Sequence, residues 1–153
     1  MHEQKPLHVE QLTEESFSPY GEIITPDMKN MFIQYPDGSA FHVLAQAKSH
    51  GWRFAALKLR TRSISELQVH RTTTETLDPV KGVALLCVNV NPSMEGLKAF
   101  ILDRPVLIHL NIWHNILTLS EESIIEITEN DEVDSEEIGL GVELSPHLFA
   151  QGQ

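Results

Sequence analysis

From Glu22 onward the chain is a succession of about ten short apolar or alternating segments: EIIT, MFIQY, AFHVLAQ, FAALKLR, LQVH, GVALLCVNV, LKAFIL, VLIHLNIW, ILTLS and SIIEIT. Between them stand Pro36-Asp37-Gly38, Ser49-His50-Gly51, Asn91-Pro92 and Asn130-Asp131, whose side chains and backbone preferences favour turns. The segments have strand length, and helical periodicity is confined to LTEESFSPYG. There Thr13 is placed to cap a single turn, Glu14 and Glu15 sit near its positive end, and Pro19 and Gly21 stop it. So many closely spaced strands with hardly a helix predict an all-β barrel or jelly roll. At 153 residues and 41% hydrophobic, the chain suffices for one core, and a single domain over residues 1–153 is expected, with residues 1–12 and the last residues loosely ordered.

Charge narrows the partners. The formal net charge is -11, and no Lys or Arg follows Arg104. Nucleic acid and anionic membranes both require clustered cations, so neither is an expected partner. No stretch has the apolar length of a membrane span, and the N-terminal MHEQKPLHVEQL carries Glu where a secretion signal would be apolar. Cys87 has no second cysteine to pair with. These features predict a cytoplasmic protein. The acid-rich stretch from Glu121 to Glu137 reads as a last strand followed by a solvated connection.

Candidate chemistry lies in QVHRTTTETLDPVKG, residues 68–82. Side chains two apart on a strand share a face, so Gln68 and His70 are co-facial, and Glu75 lies five residues beyond His70, across a polar turn. His114 follows in HLNIWHN. Two imidazoles and a carboxylate, with Gln68 as a weak neutral fourth ligand, form a set for a divalent metal and do not choose among nickel, zinc, manganese and iron. The alternative is a pair of hydrogen-bonded barrel histidines without an ion. His109 is five residues before His114 and would face the other way in an unbroken strand, unless a bend at Asn111 realigns it as an acid/base. Lys58, Arg60 and Arg62 alternate along FAALKLRTRS, and form either a clamp for a carboxylate or a solvent-facing stripe. Trp113 is a packing residue or a surface against which a ligand stacks.

The spacing of His70, Glu75 and Gly82 resembles the first motif of the cupin superfamily, with Gln68 in place of its first His. His109-x-Asn111-x-x-His114 is similar to the second motif, with Asn for Gly at the turn. Further landmarks sharpen the likeness. Phe17-Ser18-Pro19-Tyr20-Gly21-Glu22-Ile23-Ile24, then Pro79, Lys81-Gly82, the apolar run from Val83 to Val90, Leu97-Lys98-Ala99-Phe100 and Trp113-His114 resemble, in order and spacing, the ureidoglycolate lyase family. The chain departs from that pattern at Asn115-Ile116, where the family has His-Pro, and at Pro105, where it has Gly. The resemblance implies a small cupin, a double-stranded β-helix or jelly-roll barrel, usually a homodimer, that splits ureidoglycolate into glyoxylate and urea with a divalent ion. It further implies a small hydroxy-acid substrate whose carboxylate Arg60, Arg62 or Lys58 would hold. His70, Glu75, His114 and His109 would then move protons, and Trp113 and Asn115 would line the pocket. The competing expectation is a cupin that binds an acid or sugar without turning it over.

Overall fold

The computed structural model describes residues 3–25 and 31–146, and the expectation for the last residues falls on 147–153, outside them. Its elements, in chain order, are β1 (Glu3–Leu7), β2 (Val9–Glu10), α1 (Glu14–Phe17), β3 (Gly21–Ile23), β4 (Met31–Gln34), β5 (Ala40–His42), β6 (Arg53–Leu59) and β7 (Ile64–Val69). There follow β8 (Glu75–Lys81), β9 (Ala84–Asn89), β10 (Lys98–Leu102), β11 (Val106–Ile108), β12 (Trp113–Thr118), β13 (Ser123–Glu129) and β14 (Glu136–Pro146). A seven-stranded sheet runs β1-β14-β7-β12-β9-β10-β2, a five-stranded sheet runs β3-β11-β8-β13-β6, and β4 pairs with β5. Most pairings are antiparallel, and the two larger sheets face each other as a jelly-roll barrel of cupin type.

Period-two alternation decides where each strand buries its side chains. Leu77 of β8, Leu86 and Val88 of β9, Val106 and Ile108 of β11 and Ile125 of β13 meet in the core between the sheets. A second core lies on the other face of the seven-stranded sheet, where Leu67 and Val69 of β7, Leu85 and Cys87 of β9, Trp113 and Leu117 of β12, and Leu144 of β14 pack together. Strand β9 therefore has apolar neighbours on both faces and is buried along its whole length, which is why ALLCVN shows no alternation. Burial pushes the Cys87 thiol up to about 12, so it acts there as a small apolar group.

The single helical turn forms where Thr13 predicts it. Thr13 Oγ1 accepts from the Ser16 amide, and Ser16 Oγ accepts in return from the Thr13 amide. The turn delivers Phe17 into the inter-sheet core, edge-on to Phe100 at 5.5 Å between ring centroids. Gly21 follows because a Cβ there would lie 1.9 Å from the Leu107 carbonyl oxygen, leaving β3 no room to pair with β11. Gly82 is required twice over. It has φ +76°, and a Cβ would meet the Glu122 carbonyl oxygen at 2.4 Å.

Three expectations are corrected. Residues 3–10 are not loose: β1 pairs in parallel with β14, and β2 with β10. The run VLIHLNIW is two strands, because Asn111 adopts φ 68° and turns the chain between β11 and β12, so that Trp113-His114-Asn115 continues into ILT. The acidic connection after β13 leads into an eleven-residue strand, β14, whose register jumps between Gly139 and Leu144 and whose exposed, glycine-broken pattern conceals it from period-two analysis.

Phe17 is wholly buried and touches two further rings. Phe17→Ala is expected to cost about 3–5 kcal/mol, with Phe17→Leu losing clearly less, measured as a fall in urea midpoint at unchanged m-value.

Candidate metal centre

His70 stands immediately after β7, Glu75 opens β8 and His114 is the second residue of β12. Glu75 shares the inward parity of Leu77, and His114 that of Ile116, so both point between the sheets. Gln68 lies directly opposite His114 in the β7–β12 pairing and so shares its face. The turn at Asn111 closes the set, because the Asn111 amide donates to the His70 carbonyl oxygen and ties the end of β7 to the start of β12.

The three side chains converge. Glu75 Oε1 is 3.0 Å from His114 Nε2 and 3.3 Å from His70 Nε2, the imidazole centroids are 4.9 Å apart, and one ligand atom from each residue falls within 4.8 Å of the others. All three residues are buried, at 4–7% exposure. Each imidazole engages a backbone carbonyl oxygen through Nδ1, His70 with Asp134 at 2.7 Å and His114 with Ile112 at 2.9 Å. A carbonyl only accepts, so Nδ1 carries the proton and a neutral ring turns the lone pair of Nε2 inward. Both Nε2 atoms are buried without an aligned hydrogen-bond partner. Two lone pairs and a carboxylate oxygen then face one point, an arrangement of acceptors that a divalent cation satisfies. The donor set therefore fits a metal, with His70, Glu75 and His114 as its ligands and Gln68 beside them.

Electrostatics follow from the convergence. Burial works to raise the Glu75 carboxyl, but His114 and His70, whenever an Nε2 carries a proton to donate, and the neighbouring Glu129 outweigh it and hold it far below the usual carboxylate range. Burial disfavours the His70 imidazolium, yet Glu75 and the Asp134 carbonyl reverse the balance, and its pKa is raised above 6.5.

Residues absent from the sequence-based set complete the site. Glu129 ends β13 on the face that carries Ile125 and Ile127, neighbours Glu75, and is pushed upward by burial and by that neighbour. Arg53 begins β6 opposite Glu129 and binds its Oε1 through Nε at 3.1 Å and Nη2 at 2.8 Å. Asp134 fastens the following loop to the Arg71-Thr72-Thr73 turn: its carboxylate accepts from the Arg71 amide at 2.5 Å, from the Thr72 hydroxyl at 2.7 Å and from the Thr73 hydroxyl at 2.8 Å. Asn130 adds a bond from Nδ2 to Thr73 Oγ1.

Other expected members lie elsewhere. Strand β6 ends at Leu59, so Lys58, Arg60 and Arg62 do not share a strand face. Lys58 is exposed opposite Ile124, Arg62 is exposed, and Arg60 pairs with Glu122 at 2.9 Å. That pair is at the opposite end of β6 from Arg53, about 20 Å along the strand. His109 is exposed, 3.5 Å from Glu22, because the Asn111 turn separates it from the inward side of β12. Trp113 and Asn115 have the parity opposite to His114. Trp113 packs in the second core beneath the Arg71 guanidinium, and Asn115 donates to the Glu66 carbonyl oxygen.

The family profile described as ureidoglycolate lyase matches residues 4–144. No protein of curated function matches the chain. Among solved structures, oxalate decarboxylase of Bacillus subtilis aligns at 15% identity and TM-score 0.44, over 60% of this chain and 24% of that one, so the chain spans about a quarter of that protein. The capsular polysaccharide assembling protein CapF from Staphylococcus aureus aligns at 15% identity and TM-score 0.45, over 73% and 34%. The sugar 3,4-ketoisomerase QdtA from Thermoanaerobacterium thermosaccharolyticum aligns at 10% identity and TM-score 0.42, over 70% and 85%.

The pKa shifts set a pH window for the ion-free protein. Glu75, depressed, stabilises the fold above its ordinary value of 4.5, and this is lost as pH falls; His70, raised, stabilises below 6.5, and this is lost as pH rises through its folded value. The urea midpoint of chelator-treated protein is expected to peak between those values and fall toward pH 8. Nickel, manganese or zinc should restore it at pH 8, whereas a midpoint indifferent to every ion would remove the metal assignment.

Proposed function

We propose that this chain, which belongs to the ureidoglycolate lyase family, cleaves ureidoglycolate, or a closely related 2-hydroxy acid bearing a ureido or amide group, at the His70–Glu75–His114 centre. The supporting observation is the buried convergence of two imidazole lone pairs and an ionised carboxylate on one point. The reaction is the collapse of a hemiaminal: the carbinol O–H bond breaks, the carbon–nitrogen bond breaks as the carbonyl forms, and the departing nitrogen gains a proton. A divalent ion held by His70, Glu75 and His114 would supply Lewis acidity toward the carbinol oxygen.

The chain's own groups account for the proton. Glu75 is held ionised, and the neighbouring Glu129, whose carboxyl is shifted upward, is the more basic of the two and the proton acceptor beside the reacting carbon. The pair can take the hydroxyl proton and return it to the urea nitrogen, so no proton is gained or lost overall. The Asp134 and Ile112 carbonyls keep the rings of His70 and His114 in one tautomer throughout. Asn115, turned to the other face, has no part in this scheme.

The same reading includes a cytoplasmic homodimer. Strand β6 forms an edge of the five-stranded sheet, and such an edge is protected when a second copy covers it.

Protein loaded in turn with nickel, manganese and zinc is expected to release glyoxylate from racemic ureidoglycolate. Glu75→Gln and His70→Ala should lower kcat by about 10² or more. Wild-type protein that binds an ion but yields no glyoxylate with any of the three would point instead to an acid- or sugar-binding cupin.

A further inference from the structure

A substrate of this class carries a carboxylate, and the cations first considered for it, Lys58, Arg60 and Arg62, lie beyond reach of the centre. The inward face of β6 supplies another. Leu59, Leu57, Ala55 and Arg53 share one parity, and Leu59 and Leu57 belong to the inter-sheet core. Arg53 is therefore where an apolar barrel face ends in a guanidinium. In the pairing of β6 with β13 it stands opposite Glu129, the equivalent last member of the face carrying Ile125 and Ile127. Glu129 in turn neighbours Glu75. The guanidinium thus lies one carboxylate removed from the metal ligands, at the same end of the barrel.

The manner of its engagement is informative. Nε and Nη2 both bind the single oxygen Oε1 of Glu129, rather than forming the two parallel bonds that match a guanidinium edge to a carboxylate. Arg53 is half-exposed while Glu129 is 8% exposed, so the cation has a solvent approach on its outer side and an acidic partner on its inner side. A second carboxylate arriving from solvent could adopt the bidentate geometry that Glu129 does not.

We propose that Arg53 anchors the carboxylate of the substrate and that Glu129 is the placeholder it displaces. The lyase reading supplies the substrate class, whereas the position of the cation stands on the fold alone. Anchored there, the substrate presents its carbinol carbon toward Glu75 and the two imidazoles, and Glu129 is released from the guanidinium to face Glu75.

The test is calorimetric titration of nickel-loaded protein with glycolate and with glycolamide, which differ in the carboxylate. Wild type should prefer glycolate. Arg53→Met should lower glycolate affinity about tenfold or more, the scale of one charge-assisted contact, and leave glycolamide unchanged. Arg53→Lys should recover part of the loss, and Glu129→Gln should tighten glycolate severalfold by removing the competing charge. Circular dichroism and the urea midpoint confirm that each variant is folded. Absence of a glycolate preference in wild type, or a preference that survives in Arg53→Met and so belongs to the metal position, overturns the proposal. Failure of the wild type to turn over ureidoglycolate would reject the lyase reading while leaving this binding comparison decisive.

Discussion

The interaction on which the site depends is the meeting of three buried acceptors. His70 Nε2, His114 Nε2 and an oxygen of Glu75 come together where water is scarce, and each ring nitrogen has its donor partner fixed on the far side by a carbonyl. Such an arrangement is costly unless a positive charge is present, because buried lone pairs facing a carboxylate repel one another. A proton on His70 or a divalent ion resolves it. Those alternatives compete, so the affinity of the cluster for a divalent ion would depend on pH.

The barrel alone does not hold these atoms in place. His70 lies past the end of β7, and its orientation rests on the Asp134 carbonyl and on the Asn111 amide that binds its own carbonyl. Asp134 is fixed by hydroxyls and amides of the Thr-rich turn, which outweigh its burial and keep it ionised well below the ordinary carboxylate range. The acidic loop after β13 is thus a structural strap across the turn between His70 and Glu75. Its charge is used locally and is not merely a solubilising surface.

Much of this was legible in the sequence. Turn residues and short apolar runs specify an all-β barrel or jelly roll, Thr13 specifies the helical turn, and the spacing of His70 and Glu75 marks two of the converging side chains. Strand β14 was hidden because half of it is exposed and its glycines allow a bend, so its residues obey no single period. The cationic stripe at Lys58, Arg60 and Arg62 misled because period-two reasoning assumes that the strand continues, and β6 stops at Leu59.

Arg53 and Glu129 left a subtler trace. In RFAALKL the inward series runs Leu59, Leu57, Ala55, Arg53, and in SIIEITE it runs Ile125, Ile127, Glu129. Each is an apolar face whose last member is charged, and antiparallel pairing sets those two last members opposite each other. A charge that continues a core face is assigned by alternation to the inward side, and at the strand's end it can reach solvent past the rim of the barrel. It belongs either to a defect in the core or to the mouth of a barrel where the core gives way to a site. The two charges have opposite sign and pair with each other, and Glu129 neighbours Glu75, which favours the second reading. Where an apolar strand face ends in a charge, then, the cross-strand partner is the residue to examine next, and here that step leads from the core of the barrel to the cluster of His70, Glu75 and His114.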